Sequence, residues 1–152
     1  MNESLENALQ KAKHYCAFQE RCHREVREKL YSMNLKKYEV ETLLTQLIEE
    51  GYLNEERFAV AFAGGKFRIK QWGKIKISFE LKQRQVSDYC IRNALNAINN
   101  DDYNKTFITL ANKKLQSLAT EKNIFIKKRK LQDFLLQKGY EHRLVSGWLK
   151  TL

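Results

Sequence analysis

The chain contains no proline, only six glycines and three cysteines, and no long apolar run. Proline interrupts helices more strongly than any other residue, so a chain of 152 residues without it agrees with helix nearly throughout. Nothing approaches the roughly 18 consecutive apolar residues that a membrane span requires. The start, MNESLENALQKAK, has no basic stretch followed by an apolar one. Neither a secretory signal nor an anchor is visible, and a cytoplasmic location is expected. Cys16, Cys22 and Cys90 are odd in number and unrelated in spacing, which suits reduced thiols in a reducing compartment better than a disulfide framework.

Catalytic and metal-binding sets are lacking too. His14, Cys16, Cys22 and His23 lie close together, but no Cys-x2-Cys or His-x3-His pair exists, and Cys22 and His23 are adjacent. They read as partly buried thiols and surface histidines, with no metal expected. Gly64, Gly65 and Lys66 lack the spacing of a phosphate-cradling loop. The glycine pair reads instead as room for a close helix contact or a bend. No nucleophile with an orienting base is legible, so neither an enzyme nor a cofactor is expected.

What is present is charge of uneven sign and a repeated apolar pattern. The net charge is +10, yet Met1 to Gly65 holds nine basic against eleven acidic residues, while Lys66 to Leu152 holds nineteen against seven. The second part would attract a polyanion or an acidic protein surface; the acidic first part suits a basic protein surface.

The periodicity is helical. Val40, Leu43, Leu44, Leu47 and Ile48 line one face of a helix expected over Lys37 to Glu50 and stopped by Gly51. Val26, Leu30 and Met33 mark a shorter helix ending near Asn34, and another is expected from about Ser4 to Ala17, with Ser4 as its cap. The order then returns. Val26, Leu30, Leu35, Val40, Leu44 and Leu47 recur 51 residues later as Ile77, Leu81, Val86, Ile91, Leu95 and Ile98. A further 54 residues on they recur as Leu131, Leu135, Tyr140, Val145, Leu149 and Leu152.

Asn34, Gln85 and Gly139 hold equivalent turn positions, where a left-handed cap is expected and Gln85 fits least well. Gly73 stands opposite Cys22 at the start of the second helix, Ser87 with Asp88 offers a later cap, and Asn99 to Asn104 reads as a polar connection. The fold class expected is all-α: three tandem three-helix repeats in an elongated, curved array, spanning residues 1–52 (acidic), 53–100 (strongly basic) and 101–152 (basic).

Two basic groups are candidate contact residues. The first is Lys66, Arg68, Lys70, Lys74, Lys76, Lys82 and Arg84, set against a single Glu80. Like charges at such spacing repel, so their accumulation is explained by an anionic partner, although a solvated face remains the plain alternative. Trp72, flanked by Lys70 and Lys74, is suited to stacking or to sealing a helix junction. The second group is Lys127, Lys128, Arg129 and Lys130, which spread around a helix, so that some face solvent.

GYLNEERFAVAF from Gly51 and KFRIKQWGKIKISFELKQRQVSD from Lys66 resemble the central block of RecX proteins. The match includes the Gly51 to Ala59 junction, the Trp72-Gly73 pair and the Glu80 to Val86 stretch, in which Gln85 replaces the usual glycine. Glu25, Val26, Lys29 and Leu30 are similar to the family's opening helix, with Cys22 where serine is common. Arg129 to Tyr140 is similar to the C-terminal repeat.

The resemblance implies a string of three-helix repeats and a non-catalytic regulator that binds RecA and its filaments on DNA. It implies modulation of ATP hydrolysis, strand exchange and filament growth in DNA repair and recombination within the SOS response, with inhibition the expected direction. Weak, sequence-nonspecific DNA binding and a monomeric state are expected alongside. The competing reading is an autonomous DNA-binding protein or transcription factor of helix-turn-helix type.

Overall fold

The computed structural model describes residues 2–152, and among these every regular element is helical. The helices are α1 (Glu3–Phe18), α2 (His23–Tyr31), α3 (Lys37–Glu49), α4 (Glu55–Gly65), α5 (Lys74–Gln83), α6 (Asp88–Asn96), α7 (Asn100–Ser117), α8 (Ile124–Gln137) and α9 (His142–Leu149). A π-helical turn, Lys66–Lys70, prolongs α4. Among the described residues no helix is long and apolar enough to cross a membrane.

Several helix starts follow short polar side chains. Asn54 Oδ1 accepts from the Arg57 N–H at 2.8 Å, Asn99 Oδ1 from Asp102 at 3.0 Å, and Asn123 Oδ1 from Phe125 at 3.0 Å. Each satisfies a donor that the first helical turn leaves without a partner. Ser87 Oγ accepts from Cys90 N–H at 3.3 Å, as the sequence suggested. At the first helix the cap is Asn2, whose Oδ1 accepts from Leu5 N–H at 2.8 Å, and Ser4 lies inside the first turn. The expected connection over Asn99 to Asn104 is instead the cap and first turn of α7, where Asp101 and Asp102 favour the positive helix start.

Four of the helices are followed by a left-handed residue. Gly51, Gln85 and Gly139 have φ of +80°, +62° and +100°, and Asn34 has +61°. After α5, Gln85 N–H donates to Lys82 O at 2.9 Å and Val86 N–H to Leu81 O at 3.1 Å; after α8, Gly139 and Tyr140 repeat the pair onto Leu136 and Leu135. These are Schellman closures. Most of the repeat positions are buried, with Leu35, Leu95 and Leu149 partly so. Val26, Ile77 and Leu131 are fully enclosed, as are Leu30, Leu81 and Leu135, whereas Leu152 is 39% exposed, unlike its counterpart Leu47.

The chain divides into two compact units. Unit 1 is Met1–Ala61 with Leu81–Asn93; unit 2 is Phe62–Glu80 with Ala94–Leu152. The core of unit 1 gathers Leu9 and Ala12 of α1, Val26 and Leu30 of α2, and Val40, Leu43, Leu44 and Leu47 of α3. Arg57 fastens its edge, pairing with Glu20 at 2.6 Å and donating to Gly51 O at 3.0 Å. Unit 2 is held by a run of rings, Phe67, Tyr103, Tyr140 and Phe107, with successive centroids 5.7, 5.3 and 5.2 Å apart. Aromatic packing of this kind adds about 1 kcal/mol per pair beyond the area buried.

Candidate functional site

The π-helical turn and the start of α5 carry the central basic residues, and both belong to unit 2 up to Glu80. Trp72 N–H reaches back to Lys66 O at 3.3 Å and Gln71 N–H to Phe67 O at 3.0 Å, which closes the widened turn; Gln71 then reverses the chain at φ +59°. The Gly64-Gly65 pair lies where α4 passes into this turn. A Cβ at Gly64 would stand 2.7 Å from the Arg68 guanidinium, so glycine there leaves room for that side chain to fold back.

Gly73 does more than start α5. Its N–H donates to Lys138 O at 2.8 Å and Ile75 N–H donates to Gly139 O at 2.9 Å. An added Cβ would meet Gly139 carbonyl atoms at 2.3 Å, and one on Gly139 would meet Lys76 Cβ at 2.3 Å. Two backbones therefore cross with no room for a side chain. Around the crossing, Tyr140 Oη donates to Gln71 O at 2.9 Å, Lys138 Nζ to Lys70 O at 3.3 Å, and Lys74 N–H to Tyr103 Oη at 2.9 Å. Tyr103 passes its own proton toward Glu141. Burial first, then the hydrogen bond to Glu141, pushes the Tyr103 phenol far above its usual range; burial does the same to Tyr140.

This frame assembles a cation and aromatic cluster. Lys76 Nζ lies 4.7 Å from the Trp72 ring centroid and Lys66 Nζ 5.1 Å from it, while Phe62 meets the indole edge-on at 6.5 Å. Lys66 also stands 5.4 Å over Phe62, and Lys74 4.8 Å over Tyr103. Trp72 is half-buried; Arg68 and Lys70 are exposed. Two ammonium groups thus share one ring, each gaining about 0.5–1 kcal/mol from it while repelling the other. An anion placed against them relieves that repulsion.

The other sequence candidates are arranged differently. Lys82, exposed, and Arg84, half-buried, belong to unit 1, where Arg24 donates to the neighbouring Gln83 O. Lys127 and Lys128 are half-buried on α8, Arg129 and Lys130 are exposed, and Lys130 pairs with Glu121 at 3.6 Å. The run is therefore spread around its helix, with one charge partly answered. Lys138, Tyr103 and Phe62 were not singled out from the sequence, since only folding carries them to the cluster. Cys16, Cys22 and Cys90 are buried free thiols. Burial raises the Cys22 thiol to about 11 and moves the His23 imidazole the other way, below its ordinary value.

Comparison with known proteins gives one answer. Residues 54–95 match the family model described as RecX, second three-helix domain, and residues 101–149 the one described as RecX, third three-helix domain. A regulatory protein RecX from Clostridium botulinum is 33% identical over 131 residues, covering 84% of this chain and 59% of that protein. One from Bacillus cytotoxicus is 26% identical over 152 residues, covering 99% of this chain and 56% of its own length. The chain thus spans somewhat more than half the length of these relatives. The crystal structure of RecX from Lactobacillus salivarius superposes with a TM-score of 0.87 at 20% identity, covering 100% of this chain and 98% of that one, a likeness of fold. With two successive domain models matched and the helices, turns and Trp-Gly crossing all in place, the chain belongs to the RecX family.

Proposed function

We propose that this chain regulates the RecA recombinase by docking on its filament on DNA, with no chemistry of its own. Membership of a family of regulatory proteins supports the reading. The observation that carries it is the cluster on the π-helical turn, where Lys66 and Lys76 share the Trp72 ring and Lys74 sits over Tyr103. Such a surface suits a partner that is both polyanionic and ring-bearing.

In this reading Lys66, Arg68, Lys70, Trp72, Lys74 and Lys76 make the principal contact. Lys82, Arg84 and Lys127 to Lys130 add longer-range attraction. The chain acts as a monomer in the cytoplasm, built from repeats over 1–52, 53–100 and 101–152. By bridging neighbouring recombinase protomers it opposes the rearrangement that accompanies ATP turnover, lowering hydrolysis, strand exchange and filament growth.

The test is binding to preassembled RecA filaments on single-stranded DNA, to RecA alone and to DNA alone at several salt concentrations, with RecA ATP hydrolysis followed in parallel. Preference for the filament with lowered hydrolysis is the expected result. Steeply salt-sensitive binding to bare DNA, no filament preference and unchanged hydrolysis would overturn it in favour of an autonomous DNA-binding protein.

A further inference from the structure

A groove of about 720 Å³ lies on unit 1, lined by Gln10, Lys11, His14, Tyr15 and Phe18 of α1, Arg21 of the connection, and Lys29 and Met33 at α2 and just beyond it. Its lining carries charge of one sign only. Residues 1–65 are net acidic, yet the described lining residues include three permanent cations and a histidine and no carboxylate.

The floor of the groove is built. Arg21 lies 3.7 Å from the Tyr15 ring centroid and is held there by its own bond to Tyr15 O at 3.1 Å and by Glu25 at 3.6 Å. Lys29 Nζ stands 5.4 Å from the same ring. With Tyr15 occupied by cations, the open aromatic face is that of Phe18, which is 81% exposed and has the Arg21 guanidinium 6.0 Å from its centroid. Lys11, His14, Tyr15 and Phe18 follow one another at i, i+3, i+4 and i+7, so cations and rings share one side of α1.

We propose that this groove binds a single strand of nucleic acid, a base stacking on Phe18 and the adjoining phosphates resting on Lys11 and Lys29. A single strand presents a planar ring and an anionic group at every unit, which is the combination the groove offers. A duplex keeps its base faces stacked inside and would leave Phe18 idle; an acidic peptide would engage the lysines without needing an aromatic face. The groove residues belong to unit 1 and the Trp72 cluster to unit 2, so variants at each tell the two sites apart when DNA alone is the probe.

The test uses the full chain and fluorescently labelled oligo(dT) in an anisotropy titration, with circular dichroism to confirm that each variant folds. Phe18 is exposed, so its replacement leaves the core untouched. Phe18→Ala and Phe18→Leu are each expected to weaken binding about 5- to 20-fold, with Phe18→Trp retaining it, since stacking needs a π-face and not merely apolar area. Lys11→Ala with Lys29→Ala is expected to weaken binding and to flatten its salt dependence.

The proposal is overturned if Phe18→Leu binds like the parent, or if poly-glutamate displaces the strand as effectively as unlabelled oligo(dT). It is overturned equally if the groove variants are unaltered while Lys66→Ala with Lys76→Ala abolishes binding. Filament binding by the groove variants, measured separately, reports on the recombinase reading alone.

Discussion

Gln85 carries an avoidable cost. It holds a φ of +62° with an exposed side chain, in the same closure that Gly51 and Gly139 make after their helices. A left-handed conformation costs an ordinary L-residue about 1 kcal/mol, so Gln85→Gly is expected to raise stability by up to about 1 kcal/mol in urea unfolding. Gly73 and Gly139 give the opposite sign. A methyl on Gly73 meets the Gly139 backbone at 2.3 Å and one on Gly139 meets the Lys76 backbone nitrogen at 2.7 Å, and Gly73→Ala is expected to cost about 3 kcal/mol or more and to lower the melting temperature accordingly.

Single groups also set the pH limits of stability. Cys22 has its pKa raised from 9.0 to about 11, so its contribution is complete below 9 and is lost as pH climbs through 11. The raised Tyr103 and Tyr140 act in the same direction at higher pH. His23 is lowered from 6.5, so its contribution is complete above 6.5 and is lost as pH falls toward its folded value. Urea midpoints are therefore expected to be level between about pH 7 and 9, with Cys22→Ala moving the alkaline limit upward and His23→Gln flattening the acid side. A midpoint rising steadily to pH 10 would contradict this.

At the scale of elements, the junction from the π-helical turn into α5 is one device with two jobs. Tyr103 accepts from Lys74 N–H and donates to Glu141, so Tyr103→Phe strands both partners and is expected to cost about 1–3 kcal/mol. The ring beneath Lys74 is kept in that variant, so the loss reports on the hydroxyl alone. Trp72 reports on the other job. Both tryptophans lie in unit 2, and Trp148 packs against Phe107 at 6.4 Å. In a Trp148→Phe background, quenching of Trp72 emission is expected when filament is added, and Lys66→Ala with Lys76→Ala is expected to reduce it. Unchanged emission on saturable binding would place the contact elsewhere.

For the whole molecule, the governing quantity is the uneven charge. Replacing Lys66, Lys70 and Lys74 by alanine is expected to reduce the slope of log affinity against log salt by about 2 for single-stranded DNA, three phosphate contacts at roughly 0.7 each. Equal weakening with an unchanged slope would mean that these lysines act through folding. Charge also shows where a net count misleads. The acidic first part suggested a basic protein partner, yet α1, α2 and the connection between them gather Lys11, Lys29 and Arg21 into a groove without a lining carboxylate, because folding sorts residues by face rather than by sequence distance.

The sequence by itself determined most of the helices, their repeat and the closures at Asn34, Gly51, Gln85 and Gly139. Apolar spacing decides which face is buried, and a turn needing positive φ selects its position even through the unfavourable Gln85, so both are written locally. It also located the Trp72-Gly73 pair and its lysines. Only the tertiary structure decided what that pair does, since the crossing of Gly73 with Gly139 and the delivery of Tyr103, Lys138 and Tyr140 to it join residues far apart along the chain. The pairing of Lys66 and Lys76 on one indole and the groove beneath Phe18 arose the same way. Periodicity carries the orientation of a residue within its own helix; which side chains meet across helices is set by packing, and packing has no local signature.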